Sequence, residues 1–345
     1  MVSEVGPPGP GPEATGGREP LTTDVQAPEA APADVPTGVL RQHLLHLYDL
    51  DLLANAGNYD LRVKAERKRS VRDLERLFFE AVRIFRPELF IEAGAKEAGA
   101  SRRARGYLPD ARVVAFEGNP YVHQRFREQN DDPRHRLEYL HLALSDAPGR
   151  VSFHVRRRAD GTPVADGRGS LKERSEEKHG TIEVDVECTT LDTFFADQDF
   201  DRCVLWIDVE GAADKVLTGG REVLSKAAVV FIEVEDRGDW VWGPAWTVAD
   251  VSAYLFDLGL VPVGRDYQTR YQYNVVYVAR DLLNTYAFRA RLAAHRSAAC
   301  RGDEPVTPVA VTDTTRPVAR ARRLAGRVRR RLRRVLAQRR GRQHT

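Results

Sequence analysis

The sequence has few cysteines: Cys188, Cys203 and Cys300 are the only three in 345 residues, and they lie far apart. An odd number at such spacing predicts neither a disulfide framework nor a zinc site, and it is typical of a reducing compartment. Long apolar runs are also missing, so the sequence offers no membrane-spanning helix and no signal-peptide core. From these absences we expect a cytoplasmic protein.

Acidic residues are absent from residues 316–345, which contain 13 arginines. The rest of the chain therefore holds 40 basic and 50 acidic residues, although the formal net charge of the whole is +3. Apolar residues recur within this tail at helical spacing: Leu324, Val328, Leu332, Val335 and Leu336. A basic amphipathic helix favours an acidic partner or an anionic surface, such as the inner face of a membrane, and nucleic acid is a less favoured alternative. A solvated tail that docks on the acidic body is the remaining alternative.

Composition and periodicity divide the chain into four parts. Residues 1–38 hold eight of the 19 prolines and too little apolar surface to offset the entropy of ordering, so we expect a disordered leader. Residues 39–87 are expected to form a helical segment that packs on the core. Residues 88–295 are expected to form the main domain, and residues 296–345 a linker followed by the arginine-rich tail.

Five apolar runs after the helical segment predict the strands of a sheet. They are residues 88–91, 113–116, 137–142, 204–208 and 228–234, with helical or mixed segments between them. Two later runs, 260–263 and 274–278, predict an antiparallel hairpin at one edge. This alternation predicts an α/β fold with a mostly parallel, seven-stranded sheet and helices on both faces.

Two local patterns add detail to this outline. Ser70 and Asp73 predict a capping box at the start of a helix that Pro87 ends. Runs at 151–155 and 182–188 predict two further strands around a polar segment, which we interpret as an insertion or a flexible lid.

Acids follow the first two predicted strands, and small residues fill the turn after the first. Glu92 ends one apolar run and Glu117 ends the next, an arrangement typical of the nucleotide-binding half of a doubly wound sheet. The dinucleotide fingerprint G-x-G-x-x-G is missing because Lys96 stands where its second glycine belongs, and a P-loop is absent. The turn instead suits S-adenosylmethionine (SAM), whose amino group pairs with an acid and whose ribose hydroxyls donate to Glu117. The alternative is that both acids only cap surface strand ends.

Five short motifs follow one another along the main domain. They are Glu92-Ala93-Gly94-Ala95-Lys96-Glu97-Ala98, Phe116-Glu117-Gly118-Asn119-Pro120, Ala143-Leu144-Ser145-Asp146 with Gly149, Thr190-Leu191-Asp192, and Trp206-Ile207-Asp208-Val209-Glu210-Gly211-Ala212-Ala213. Together they resemble the motifs of the FkbM-type SAM-dependent methyltransferases, in the family's order. The sequence departs from the family's residues at five positions: Glu92 for aspartate, Lys96 for asparagine, Ala98 for glycine, Trp206 for lysine and Ala213 for glutamate.

The resemblance implies a Rossmann-like class I methyltransferase fold with SAM as its cofactor. It implies that eight residues bind this cofactor: Glu92, Gly94, Ala95, Ser101, Glu117, Asn119, Ala143 and Asp208. It also implies an O-methyltransferase that acts on a hydroxyl of a sugar, a glycan precursor or a polyketide-like natural product, with a role in polysaccharide biosynthesis.

Acids at the ends of the fourth and fifth predicted strands are candidates for the acceptor side. Strand alternation points Asp208 and Glu210 the same way, at the edge where ligands of open α/β sheets bind. Asp208 is the candidate base, Glu210 a supporting or cofactor-proximal acid, and the resemblance favours an acceptor-site role for Glu233. A helix cap at Glu210-Gly211 is the alternative. We predict no metal site, because no third ligand is evident beside the first two acids.

Aromatic residues cluster after the fifth strand and in the last hairpin connection: Trp240, Trp242, Trp246, Tyr267, Tyr271 and Tyr273. They predict either a wall that stacks on a sugar or a cluster that anchors the loops. Two other functions stay open. One is a catalytically inactive scaffold with an altered cofactor loop, and the other is a nucleic-acid-binding protein acting through the tail.

Overall fold

The computed structural model describes residues 37–174, 178–236 and 245–297. The predicted tail, Cys300, Trp240, Trp242 and nearly all of the predicted leader lie outside the described residues. Among the helices that are described, none combines the length and the apolar character needed to cross a bilayer.

The described chain begins with helix α1 (Thr37–Ala54), followed by a 3₁₀ turn and helix α2 (Lys64–Phe85). The capping box predicted at Ser70 is wrong, because α2 begins six residues earlier. The Ser70 hydroxyl instead donates to the Arg67 carbonyl at 2.6 Å and accepts the N–H of Tyr267 at 2.9 Å. Helix α2 ends before Pro87, as predicted.

Strands and helices alternate through the remaining described residues. The strands are β1 (Leu89–Ala93), β2 (Arg112–Glu117), β3 (Glu138–His141), β4 (Ala143–Leu144), β5 (Gly149–Arg156), β6 (Thr181–Thr189), β7 (Cys203–Ile207), β8 (Ala227–Glu235), β9 (Leu260–Arg265) and β10 (Gln272–Ala279). The helices are α3 (Gly99–Tyr107), α4 (Pro120–Asn130), α5 (Leu191–Phe195), α6 (Ala213–Thr218), α7 (Arg221–Ser225), α8 (Val248–Asp257) and α9 (Tyr286–Arg296).

Seven of these strands form the main sheet, in the order β3-β2-β1-β7-β8-β10-β9. The pairs from β3 to β8 are parallel, whereas β10 runs antiparallel to both β8 and β9. The mostly parallel seven-stranded sheet with an antiparallel edge hairpin is therefore confirmed. Because parallel strands share one carboxyl edge, the ends of β1, β2, β7 and β8 meet there.

Apolar side chains alternate between the two faces of this sheet. Ile91 and its neighbours on one face pack in a cluster that includes residues of α5, α6, α7 and α8. Phe90 belongs to the other cluster, which includes residues of α2, α3 and α9. Strands that are apolar on both faces must be covered on both, so the expected helical layers are confirmed.

The remaining strands form a separate sheet in the order β4-β6-β5. Strands β5 and β6 pair antiparallel along their length, which confirms the two runs predicted at 151–155 and 182–188. The polar connection between them returns to this small sheet, where Ser170 bridges His154 of β5. We call residues 163–174 of this connection the strap.

Candidate active site

The turn after β1 is fixed by a buried acid. Glu92 is 4% exposed and accepts the backbone N–H groups of Ser101 at 2.7 Å and Ala100 at 3.3 Å, at the start of α3. Burial raises the pKa of Glu92 to about 7, and hydrogen bonds from Ser101 and Ala100 oppose that rise. Its carboxylate therefore holds the N-terminus of α3 in place.

The same turn approaches the end of β7 very closely at Gly94. Gly94 has φ +77°, and a Cβ added there would lie 1.8 Å from the carbonyl oxygen of Asp208. The N–H groups of Gly94 and Ala95 both donate to Phe116, at 3.0 and 2.9 Å. Only a residue without a side chain fits this position.

Glu117, at the end of β2, is held by backbone donors on both sides. Its Oε2 accepts from the N–H of Lys96 and its Oε1 from the N–H of Asn119, each at 2.7 Å. Burial raises the pKa of Glu117 to about 7, while these two hydrogen bonds lower it. Each carboxylate oxygen keeps a lone pair that can accept a further donor.

Asn119 begins helix α4 and presents a spare donor. Its Oδ1 accepts the N–H groups of Tyr121 and Val122, which caps the helix. Its Nδ2 is buried and has no partner among the described residues. A ligand next to Glu117 can therefore accept a hydrogen bond from Asn119.

A pocket of about 620 Å³, open to solvent, lies at this carboxyl edge. Its lining residues are Gly94, Lys96, Phe116, Glu117, Gly118, Asn119, Leu142, Ala143, Leu144, Phe153, Asp166, Gly167, Gly169, Leu171, Asp208, Val209 and Ala212. Five of the eight predicted cofactor residues are among those that line it, whereas Glu92, Ala95 and Ser101 lie behind the wall.

The strap forms one side of this pocket and was not recognised as part of the site from sequence. Ser170 is 1% exposed, and its hydroxyl donates to the Glu210 carbonyl at 2.6 Å. A Cβ added at Gly167 would lie 2.9 Å from Cδ of Lys96, and one at Gly169 would lie 2.6 Å from the ring of Phe153. The available signal was the glycine-containing polar segment, which we interpreted as an insertion or a flexible lid.

Three acids converge beyond the pocket. Asp208, Glu210 and Glu233 are each partly buried, and one carboxylate oxygen of each lies within 4.8 Å of the others. The Oδ1 atom of Asp208 is buried without a partner among the described residues, whereas Gln272 donates to Glu233 at 2.9 Å. The structure thus brings together the three predicted acceptor-side acids, although Glu233 lies 23 residues after Glu210 in the sequence.

Burial and mutual repulsion dominate the electrostatics of this cluster. Burial raises the pKa of Asp208 and the Lys96 ammonium lowers it, which leaves it at about 6. Burial and the Asp208 charge raise the pKa of Glu210 to about 8, and burial followed by both neighbours raises that of Glu233 well above its ordinary value. Asp208 therefore has the lowest pKa of the three acids.

Three of the four described aromatic residues of the predicted wall are anchored in the protein. Tyr267 and Tyr273 are 6% and 4% exposed, and their hydroxyls donate to the Leu52 carbonyl and to Asp236. Trp246 packs against Tyr254 with ring centroids 5.3 Å apart. These contacts favour the anchoring interpretation for these three residues.

The sheet order and the antiparallel edge are those of the Rossmann-like methyltransferase fold, with a pocket at its carboxyl edge. Residues 92–262 match the family model described as the methyltransferase FkbM domain. This domain of the chain belongs to the FkbM methyltransferase family.

One curated relative is the 2-O-methyltransferase NoeI of Sinorhizobium fredii, which is 27% identical over 156 residues. The match covers 43% of this chain and 64% of NoeI, so the chain spans less than two thirds of that relative's length.

Two solved structures resemble this chain more distantly. The N-terminal domain of EvdMO1 with SAH bound has a TM-score of 0.34 and 12% identity, and the match covers 60% of this chain and 80% of that chain. The N-methyltransferase NodS of Bradyrhizobium japonicum has a TM-score of 0.35 and 11% identity, covering 62% of this chain and 96% of that one. Such low scores bear on neither the site nor the substrate.

Proposed function

We propose that the chain is a SAM-dependent O-methyltransferase that acts on a hydroxyl of a sugar or glycan precursor. The observation that carries this proposal is one pocket that is lined by both Glu117 and Asp208, the second of which is part of an acid cluster. The name of NoeI, a 2-O-methyltransferase, supports oxygen as the acceptor atom.

The residues of the pocket fit SAM. Glu117 retains lone pairs for the two ribose hydroxyls, and the unpartnered Nδ2 of Asn119 is a donor beside it. Gly94 leaves its backbone uncovered at the wall of the pocket. Leu144, Phe153 and Leu171 give the pocket apolar surface for the adenine ring.

SAM, when bound, supplies a methyl group on a positively charged sulfur. The chain then has to hold the acceptor hydroxyl in line with that group, exclude water and remove one proton. A new O–CH₃ bond forms as the S–CH₃ bond breaks, and the electron pair of that bond stays on sulfur. The hydroxyl proton passes to a carboxylate of the cluster.

Asp208 is the best placed of the three acids to receive this proton. It lines the pocket, and the nearby Lys96 ammonium favours its charged form. A base works best when its pKa is close to the ambient pH, and that of Asp208 is about 6. Glu210 and Glu233 are proposed to bind the acceptor.

Replacement of Glu117 tests the cofactor site. We expect Glu117→Gln to weaken SAM binding in calorimetry by roughly 10- to 100-fold, because hydrogen bonds to a charged group contribute ~1.5–3 kcal/mol. The exposed Glu128→Gln is the matched control and should bind as the wild type does. Wild-type protein that binds neither SAM nor SAH would contradict the proposal and favour an inactive scaffold.

The acceptor is tested by mass spectrometry of candidate sugars and glycan precursors incubated with SAM and the full-length protein. We expect a gain of one methyl group on oxygen, which is lost with Asp208→Asn. Methylation on nitrogen, or turnover that persists unchanged in Asp208→Asn, would count against the proposed chemistry.

A further inference from the structure

The acid cluster contains a third potential ligand that the sequence did not reveal. Asp208 and Glu210 follow β7, and pairing of β7 with β8 brings Glu233 beside them. We propose that Asp208, Glu210 and Glu233 bind a hard divalent cation that holds the acceptor, a deepening that rests on the proposed methyltransferase function.

A fourth acid supplies independent support for a cation here. Glu235 is 4% exposed, and neither of its carboxylate oxygens has a hydrogen-bond partner among the described residues. It lies two residues after Glu233 on β8, so both side chains point to the same face, and its charge acts on Glu233. A buried acid without a partner is costly unless a cation compensates its charge.

The basic side chains near the cluster do not balance these four acids. Lys96 acts on Asp208, but its ammonium also lies 3.5 Å from Glu97. Lys172 and Arg174 act on Glu235, and Lys172 is paired with Asp214 at 2.9 Å. Arg168 and Arg174 act on Glu210, and Arg168 also lies 3.5 Å from Asp166. Most of the positive charge is thus shared with acids outside the cluster.

The spacing of the oxygens fits one shared ion. Calcium–oxygen distances are ~2.3–2.6 Å, so two oxygens on opposite sides of one Ca²⁺ lie ~4.6–5.2 Å apart, and ~4.0–4.2 Å apart around Mg²⁺. One carboxylate oxygen from each of Asp208, Glu210 and Glu233 lies within 4.8 Å of the other two. A site made only of carboxylate oxygens selects Mg²⁺, Mn²⁺ or Ca²⁺ over softer metals.

This cation defines a class of acceptor. It would bind the hydroxyl to be methylated together with a second oxygen on the adjacent carbon, as in the vicinal hydroxyls of a sugar. The ion polarises the O–H bond, the proton moves to the free oxygen of Asp208, and the resulting alkoxide attacks the methyl carbon. The broken S–CH₃ bond leaves its electron pair on sulfur, so no other reactant is needed.

Manganese binding tests the site without any turnover. We expect electron paramagnetic resonance to show one Mn²⁺ bound per chain in the full-length protein, displaced by excess Mg²⁺ or Ca²⁺. Glu233→Gln should weaken this binding by at least tenfold and Glu235→Gln by about three- to tenfold. Glu128→Gln, an exposed acid on α4, should have no effect.

Calorimetry with SAM on the same variants separates this proposal from the proposed function. Wild-type protein that binds SAM but no Mn²⁺ overturns the cation site alone. Protein that binds Mn²⁺ at Glu233 but not SAM overturns the methyltransferase function. Equal Mn²⁺ binding by wild type and Glu233→Gln, with both shown to be folded by circular dichroism, also overturns the cation site.

Discussion

At the residue scale, Gly94 occupies a position in the pocket wall that has no room for a side chain. Its left-handed φ and the Asp208 carbonyl, 1.8 Å from any added Cβ, both exclude a side chain. By contrast, Gly106 in α3 has nothing within 4 Å of such an atom. The two glycines therefore form a matched pair.

We expect Gly94→Ala to destabilise the fold by roughly 2–4 kcal/mol, because β1 and β7 would have to separate. Gly106→Ala should be neutral or stabilise by up to ~1 kcal/mol, since alanine favours a helix. Urea unfolding of both variants is the measurement. Equal stability of the two would contradict the close contact.

Sequence patterns located the pocket residues that belong to local motifs. Gly94, Glu117 and Asp208 follow apolar runs that are recognisable strands, and parallel strands end at one edge. Glu235 was not found, because its significance depends on burial without a partner, which only the folded chain shows. The proposed cation site was not predicted, because only the pairing of β7 with β8 brings Glu233 beside Asp208 and Glu210.

At the scale of elements, one buried hydroxyl of the strap contacts the loop that follows β7. Ser170 donates to the Glu210 carbonyl and accepts the N–H of Lys172 at 3.0 Å. Glu210 itself has a left-handed backbone, with φ +50°. Ser170 therefore links the wall of the pocket to the acid cluster.

We expect Ser170→Ala to cost about 1–3 kcal/mol of stability and to weaken SAM binding by several fold, because buried partners lose their hydrogen bond. Ser152→Ala is the control, since Ser152 is exposed and lies in the same small sheet. Urea unfolding and calorimetry measure the two effects. A Ser170→Ala variant with unchanged SAM affinity would show that the strap does not shape the pocket.

The elements show where sequence patterns succeed and fail. The main-sheet strands were predictable because each is an apolar run of suitable length. The start of α2 was not predictable, because residues 64–69 are mostly charged helix formers with little apolar periodicity. In addition, Ser70-x-x-Asp73 has the sequence pattern of a capping box.

Trp206 stands where the family has lysine, and it stacks on Phe231 with ring centroids 3.7 Å apart.

At the scale of the whole molecule, buried acids determine how stability depends on pH. The pKa of Glu92 is raised by burial to about 7, so the folded state binds its proton more tightly than the unfolded state. Stability from this group is therefore greatest at low pH and decreases as pH rises from about 4.5 to about 7.

We expect urea unfolding in EDTA to show this decline, on the order of 1–3 kcal/mol from Glu92. Glu92→Gln, which cannot ionise, should flatten the slope in the same interval. Glu128→Gln should leave the slope unchanged, since this side chain is exposed. A slope of the opposite sign, or one unaltered by Glu92→Gln, would contradict the burial effect.

Charge is also divided unevenly over the chain, with 13 arginines in residues 316–345 against an acidic remainder. We expect the full chain to sediment with vesicles that contain anionic lipid, and this binding to decrease steeply with salt. Removal of residues 316–345 should abolish it without altering SAM affinity. Binding that survives the truncation would assign the membrane contact to another surface.

The contact of Gly94 with the Asp208 carbonyl has a thermodynamic consequence. One residue, Asp208, contributes its backbone to the wall of the proposed cofactor pocket and its carboxylate to the acid cluster. Ligands on the two sides of it are therefore expected to be linked. If the cation tightens SAM binding by some factor, SAM must tighten cation binding by the same factor.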